Sequence, residues 1–465
     1  MPNHPSPPRL LVTGATGYIA SRLIPLLLEK GYTVRCLARQ PERLRARKWY
    51  QQVEITAGDV TRPESLPKAM QGIHTAYYLI HSMSAGHGYE HLDLQAARNF
   101  AQAARAAGVE HIIYVGGLAD PAEPNLALHL KSRLETGDAL REAGVPVTEF
   151  RAGVIVGPGS VSFEMIRFIA EQFPLMVGPL WLKHRSQPIA TPDILAYLVT
   201  ALETPACRGQ IIEIGCERAR TYIDIMTEYA RIRGLKRFPL LLPFVPPVLM
   251  AFFIDKLTPV NFAYALPLVE GLKNNSLVKE RTPLRLFPSI QPMDYAEAVR
   301  RALADTHPEH IERIWLDCTP KRAFLLHEGM FVDYRCLPVP VTGLPTDVFL
   351  PGIRFEQDKR CSETLLRLKA CLSAGTLWVE WNLTRTNTEG RWYEESKQPE
   401  PKLDCQNQID AENKLTTRKI LEQTLFFLPN GLPGALFGYF ILPLLARHAA
   451  NKVQKTALQT SDKRD

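Results

Sequence analysis

Eight cysteines are scattered along the chain, and neither a C-x-x-C pair nor a Cys/His cluster at metal-ligand spacing is present. That absence argues against a zinc site and against a disulfide framework, and it suits a reducing compartment. No helix-turn-helix or other nucleic-acid module occurs, so DNA or RNA binding is not expected. There is no internal repeat. The opening MPNHPSPPR lacks the charged n-region and apolar core of a signal peptide, so residues 1–8 are expected to be a short disordered lead to a cytoplasmic protein. Unbroken apolar runs are also scarce. Residues 238–254 are interrupted by Pro239, Pro243, Pro246 and Pro247. Residues 425–446 carry no charge but contain Pro429, Pro433, Pro443 and the turn signal Asn430-Gly431. A spanning helix wants about 20 apolar residues in sequence. The second segment meets that length, but its turn signal makes a strand, a turn and a buried helix the expectation there, with bilayer insertion as the alternative and peripheral membrane contact left open.

The chain does have the composition of a folded globular protein, 46% hydrophobic and 22% charged, with a modest net charge of +7. Its 465 residues are enough for two domains. Strand-like runs at 10–13, 33–38, 53–57, 75–80, 111–116 and 147–156 alternate with helical patterns near 19–30, 92–107 and 126–143. This rhythm predicts an α/β class, a doubly wound parallel sheet over residues 9–304. Thr191-Pro192 reads as an N-cap followed by proline at the first helical position. Residues 305–315 read as a linker. Beyond it the rhythm stops, and strand-like pieces at 377–383 and 420–427 flank a polar stretch, 387–413, expected to be a loop. With a final helix from about 432 to 455, residues 316–465 are expected to form a smaller α+β unit. Its apolar stripe, Leu436, Phe437, Phe440, Ile441, Leu444 and Leu445, is expected to be buried on those strands.

One junction carries most of the functional information. The strand Leu10 to Thr13 enters Gly14-Ala15-Thr16-Gly17-Tyr18-Ile19-Ala20, and a helical pattern leaves it. The first glycine permits a tight turn and the second lets backbone approach a pyrophosphate, which the helix N-terminus can receive. A glycine pair alone could be an ordinary strand–helix turn. The strand before, the helix after and the second strand beyond make it a dinucleotide site. Arg39 follows that second strand, where an acid would contact a ribose 2′-hydroxyl. A guanidinium there suits a 2′-phosphate, so NADP is expected over NAD. Arg45 and Arg47 read instead as a solvated basic face.

These motifs, with Gly58-Asp59-Val60, Ala76-Tyr77-Tyr78-Leu79-Ile80-His81, Ile112 to Leu118, His129 to Glu135 and Gln187 to Ala190, resemble an atypical short-chain dehydrogenase/reductase. More narrowly they resemble bacterial two-domain proteins that join such a domain to a C-terminal domain of unknown function. The likeness covers residues 8–304 well and the remainder in patches. It implies that Gly14, Thr16, Gly17, Tyr18 and Ile19 cradle the cofactor phosphates. It also implies that Asp59 and Val60 border adenine, and that Leu79, Ile80 and His81 border ribose and nicotinamide. A turn-forming role for Asp59 is compatible with this. The C-terminal half loosely resembles a helix-grip domain.

The sequence departs from that superfamily where chemistry is expected. In place of tyrosine and a lysine four residues on, it has His129 and Arg133 at the same i, i+4 spacing. Lys131, Glu135, Asp138 and Glu142 share a solvated arc, so His129 and Arg133 are expected to face the cleft. Histidine can donate a proton near neutral pH and arginine can hold ribose or phosphate oxygens. The nearby guanidinium would also lower the histidine pKa and leave less imidazolium as acid; a hydrogen-bonded helix residue in a binding-only site is the alternative. Gly157, Ser160, Glu164, Arg167 and Gln187 are candidates for the substrate side of a mostly apolar pocket. The resulting expectation is hydride transfer from NAD(P)H to a small or medium apolar carbonyl, enone or quinone-like substrate. The rival is a non-catalytic NADP(H)-binding redox sensor or assembly factor.

Overall fold

The computed structural model describes residues 8–45, 47–81, 88–258, 260–313, 322–337, 350, 353–357, 365–385 and 419–461. The expected lead (residues 1–7 of it), the end of the linker and the whole 387–413 loop lie outside these. The chain divides into two compact units, Met1–Cys318 and Thr319–Asp465.

In the first unit the apolar runs become strands β1 (Arg9–Thr13), β2 (Thr33–Ala38), β3 (Glu54–Ala57), β4 (Thr75–Tyr78), β5 (His111–Gly117) and β6 (Val147–Ala152). The expected run 147–156 breaks after Ala152 and resumes as the short β7 (Ile155–Val156), which leaves the sheet to pair elsewhere. Short strands of two to five residues follow: β8 (Leu175–Pro179), β9 (Arg185–Ser186), β10 (Ile189–Ala190), β11 (Ile211–Ile214), β12 (Arg220–Thr221) and β13 (Phe238–Leu242). The main sheet has the order β11-β6-β5-β4-β1-β2-β3 and every pairing in it is parallel. The order reverses between β1 and β4, where such sheets open a crevice for ligands.

Helices α1 (Tyr18–Glu29), α2 (Leu66–Met70), α3 (Tyr89–Ala106) and α4 (Leu128–Arg141) connect the strands. One apolar cluster joins Leu10, Val12, Leu23, Ile24 and Leu27 to Ile194 and Leu198; a second joins Leu11, Ala76 and Ile112 to Ala97, Phe100 and Leu140. Both faces of the sheet are thus buried, which is why its strands read as continuous rather than alternating apolar runs. Then come α5 (Val161–Gln172), α6 (Thr191–Thr200), α7 (Tyr222–Ile232), α8 (Pro247–Leu257), α9 (Phe262–Gly271), α10 (Thr282–Leu286) and α11 (Tyr295–Asp305). Thr191 is the first residue of α6 and Ala190 is its cap, contrary to expectation. The Thr191 hydroxyl is instead committed to the Val156 carbonyl at 3.2 Å and to Tyr18 at 2.7 Å.

Among the described residues the second unit forms a six-stranded antiparallel sheet, more than the two strands its sequence suggested. In sheet order it runs β14 (Arg322–His327), β15 (Met330–Leu337), β19 (Lys419–Pro429), β18 (Gly375–Arg385), β17 (Leu365–Leu372) and β16 (Glu356–Gln357). Helices α12 (Gly431–Leu436) and α13 (Leu442–Ser461) follow, joined by a π-helical turn, Phe437–Ile441. Leu442, Ala446, Ala449, Ala450 and Val453 pack on Phe331, Val379, Trp381, Leu421 and Leu425. The helix therefore buries a different stripe from the expected one. Leu436, Phe440, Ile441 and Leu444 are exposed, and only Phe437 and Leu445 touch the core. The π turn accommodates an extra residue and rotates the face presented to the sheet. No helix among the described residues is long and apolar enough to cross a membrane.

Candidate functional site

The site begins at the C-terminal end of β1. The buried Thr13 hydroxyl donates to the Tyr77 carbonyl and accepts from the Leu79 N–H, both at 3.0 Å, so β1 is stitched to the exit of β4. Gly14 then turns with φ +66°, and a Cβ there would lie 2.5 Å from the Leu79 carbonyl oxygen. Only glycine meets both demands. Gly17 closes the turn by donating to the Gly14 carbonyl at 2.7 Å and caps α1 by accepting from Ser21 at 3.0 Å. Thr16 and Gly17 are exposed, so the first turn of a 12-residue helix opens toward the crevice. Helix N-termini present N–H groups without intrahelical partners and a partial positive charge. The cradle fits a pyrophosphate.

Arg39 is exposed just past β2, and its guanidinium has no partner among the described residues. Its neighbour in sequence behaves otherwise. Arg47, expected to be solvated, is buried and forms an ion pair with Glu312, while Lys48 donates to the Glu309 carbonyl at 3.2 Å. Asp59 forms a turn: its Oδ1 accepts from the Thr61 N–H at 3.0 Å and from the Thr61 hydroxyl at 2.9 Å. Val60 is buried and its carbonyl accepts from Asn99 at 3.0 Å, while Leu79 and Ile80 are half-buried at the mouth.

At the ends of β4 and β5 lies a polar cluster that sequence reasoning found only in part. His81 Nδ1 is 2.8 Å from a carboxylate oxygen of Asp93 on α3, and its Nε2 is buried without a partner. Burial pushes the His81 imidazole down, the nearby Arg133 adds to this, and Asp93 opposes both. Tyr78, against Phe100 and Tyr114, is pushed well up by burial. The Arg133 guanidinium sits 5.2 Å from the centre of the Tyr114 ring and donates to the Val115 carbonyl; the Tyr114 hydroxyl donates to the Arg133 carbonyl at 2.9 Å.

His129 faces inward as its spacing suggested, but the environment changes its chemistry. It is buried against Gly271 of α9, whose Cβ, if present, would lie 2.2 Å from the imidazole. Its Nδ1 has no partner. Burial, with help from His81 and Arg133, pushes its pKa down to about 3. The loss of imidazolium expected beside Arg133 is thus deepened by burial, and what remains at neutral pH is a neutral ring able to offer one N–H.

Glu149 was missed by the sequence reading. Fully buried on β6, it pairs with Arg151 at 2.7 Å and with Arg141 of α4. Cβ atoms at Gly116 and Gly137 would lie 2.7 and 2.4 Å from its carboxylate oxygens. Those two glycines let β5 and α4 close around the ion pair, which sets the position of α4 and hence of His129 and Arg133. The signal available was a glycine inside a helix and an acid inside an apolar strand.

The candidate substrate residues separate into two kinds. A Cβ on Gly157 would lie 2.5 Å from the Tyr18 hydroxyl, so it seats that side chain. The Ser160 hydroxyl donates to the Ile155 carbonyl at 2.8 Å. The Gln187 amide donates to Cys216 and Glu217 carbonyls at 2.8 and 3.2 Å and accepts from Val278 at 2.7 Å. These polar groups are committed to backbone, which leaves them little to offer a substrate. Glu164 and Arg167 are both buried on α5, 3.6 Å apart, and Gly159 donates to Glu164 at 2.9 Å. The second Glu164 oxygen has no partner, and burial raises its pKa.

Residues 14–155 match the family model described as NAD(P)H-binding. They form an NAD(P)H-binding domain. A ceramide reductase from Caulobacter vibrioides is 28% identical over 231 residues, covering 48% of this chain and 70% of that protein. A photosystem II assembly factor from Trieres chinensis is 24% identical over 257 residues, 52% of this chain and 76% of its own length. In fold, an NADPH-dependent quinone oxidoreductase from Escherichia coli, solved with NADPH, has a TM-score of 0.52 at 20% identity. That likeness covers 63% of this chain and 99% of the oxidoreductase.

Proposed function

We propose that the first unit is an NADPH-dependent reductase acting on an apolar carbonyl, enone or quinone-like acceptor. The observation that carries this reading is the glycine cradle at the β1/β4 switch point with unpaired Arg39 beside it. In this proposal Gly14, Thr16, Gly17, Tyr18 and Ile19 hold the pyrophosphate on the α1 N-terminus. Arg39 pairs with the 2′-phosphate, and Asp59 and Val60 border adenine. Leu79, Ile80 and His81 border the ribose and nicotinamide, and the bound dihydronicotinamide supplies the hydride. Arg133 steadies ribose or substrate oxygens with its fixed charge. His129, neutral at working pH, lends an N–H to the acceptor oxygen as charge develops there, while the proton comes from solvent. Glu164 and Arg167 stand on the substrate side. The reductase names among the relatives support the reading. Calorimetric titration with NADPH and NADH tests the cofactor, and NADPH consumption over a carbonyl and quinone panel tests the reaction. Absence of binding to either cofactor, or no turnover on any member of the panel, would overturn the corresponding part.

A second reading, an NADP(H)-binding assembly factor without catalysis, is favoured by one observation: the histidine that replaces the usual tyrosine is held far below the pKa of a working acid. His129→Ala separates the two. A loss of turnover with cofactor affinity retained supports the reductase; panel-wide inactivity of the parent protein supports the assembly factor.

A further inference from the structure

The first unit carries an outward face that contradicts the usual pattern of an exposed sheet. β8 and β13 pair in parallel, in the register Leu175 with Phe238 and Val177 with Leu240. All four side chains point outward and are exposed, Phe238 by 65%, while Met176 points inward to the core. A sheet face left in water ordinarily alternates polar outward with apolar inward. The apolar surface continues through Phe244, 83% exposed, to α8. There Val248 and Phe252, and Leu249 and Phe253, repeat at i, i+4 on the exposed side. The opposite side of α8, Ala251 and Ile254, already packs on Met165, Val260 and Ala265. As far as Ile254 the helix is thus apolar all round but buried on one side only, with Asp255 and Lys256 paired in its last turn.

Charge identifies the occupant. No acidic residue occurs from Tyr229 to Ile254 or from Phe173 to Pro192; of the cations just before β13, Arg231 pairs with Glu228 and Arg233 with Glu171, which leaves Lys236 and Arg237. An open groove of about 470 Å³ lies at this border, lined by Arg231, Lys236, Arg237 and Phe238 among others. Arg237 donates to the carbonyls of Ala170, Glu171 and Lys236, none of them a charged acceptor, and exposed Lys236 has no ion-pair partner among the described residues. Lys183, also exposed, stands just beyond β8. An apolar face rimmed by cations suits an anionic lipid surface, the apolar side chains entering the acyl boundary and the cations meeting the headgroups. An 11-residue helix is too short to cross a bilayer but long enough to lie on one.

We propose that the β8–β13–α8 face docks the protein on an anionic membrane surface. The proposal stands on exposure and charge and does not depend on the reductase reading. The full chain is sedimented with vesicles of phosphatidylcholine alone and with an equimolar mixture of phosphatidylcholine and phosphatidylglycerol. Binding is expected to the mixed vesicles and to weaken with added salt. Phe244→Ser with Phe253→Ser should lower the bound fraction at least about tenfold, and Lys236→Glu about fivefold or more. Both variants should keep the parent melting temperature, since the side chains are exposed. Absence of binding to mixed vesicles overturns the proposal, as does binding that the variants leave unchanged. A dimer in gel filtration that the double phenylalanine variant turns into a monomer, without vesicle binding by the parent, assigns the face to a second copy instead.

Discussion

Both units bury ion pairs within a sheet, Glu149 with Arg151 in the first, but the first also leaves polar groups open at its strand ends. In the first, several polar groups at the strand ends stand ready for a ligand: an exposed Arg39, an open α1 N-terminus and a His81 Nε2 without a partner. In the second, charge closes on itself inside the sheet. Arg367 and Glu380 are cross-strand partners at 2.8 Å, and Asp333 and Arg335 are two residues apart on β15 at 2.7 Å. All four are buried. A parallel sheet ends every strand on the same side, so its polar loops converge there. An antiparallel sheet returns each strand to its neighbour, and a charge placed mid-strand must be neutralised where it stands.

Breaking the second kind of charge should cost most. Glu380→Ala takes a buried carboxylate away from the Arg367 guanidinium and is expected to lower stability by about 3–5 kcal/mol. Chemical denaturation followed by tryptophan fluorescence measures this, and NADPH affinity should stay within about twofold, a difference of roughly 0.4 kcal/mol. A shared loss of both would mean the two units are not separate in the way their charge suggests. Gly14→Val, by contrast, forces a Cβ onto the Leu79 carbonyl and a β-branched residue into positive φ. It should weaken NADPH binding by about a hundredfold or more, equivalent to roughly 2.7 kcal/mol.

The buried histidines sharpen the comparison by pH. A histidine whose folded pKa lies below its unfolded value takes up protons on unfolding, so stability falls as pH drops through the window between the two. For His129 the window runs from 6.5 down to about 3, and for His111 from 6.5 to about 4. Acidification over that range should therefore destabilise the first unit, by up to a few kcal/mol. His129→Gln should flatten the slope of unfolding free energy against pH. An unchanged slope would place the acid sensitivity elsewhere. The smallest effect is expected at Arg39: Arg39→Asp should lower NADPH affinity about tenfold and remove its advantage over NADH, read by calorimetry.

Legibility followed the range of the interactions involved. β1, the Gly14 turn and α1 were readable because six or seven consecutive residues specify them through backbone geometry alone. In the second unit, β14, β15 and β17 escaped notice because Arg322–His327, Met330–Leu337 and Leu365–Leu372 carry charged residues within strands. These look like surface until their cross-strand partners are known. Gln187 and Ser160 looked like pocket polar groups, yet the backbone carbonyls of Cys216 and Ile155 had already taken their hydrogen bonds.

The sequence by itself determined the α/β rhythm, the dinucleotide cradle, the basic residue beyond β2 and the inward direction of His129 and Arg133. Each follows from local periodicity or from a glycine at a turn. Only the tertiary structure decided how far burial lowers the His129 pKa, that Glu149 anchors α4, that the last helix turns a different stripe to its sheet, and that a wide apolar face is left exposed. Those properties depend on burial and on charges brought close from far along the chain. Desolvation and Coulomb interactions are set by position in space, and no stretch of local sequence carries that information.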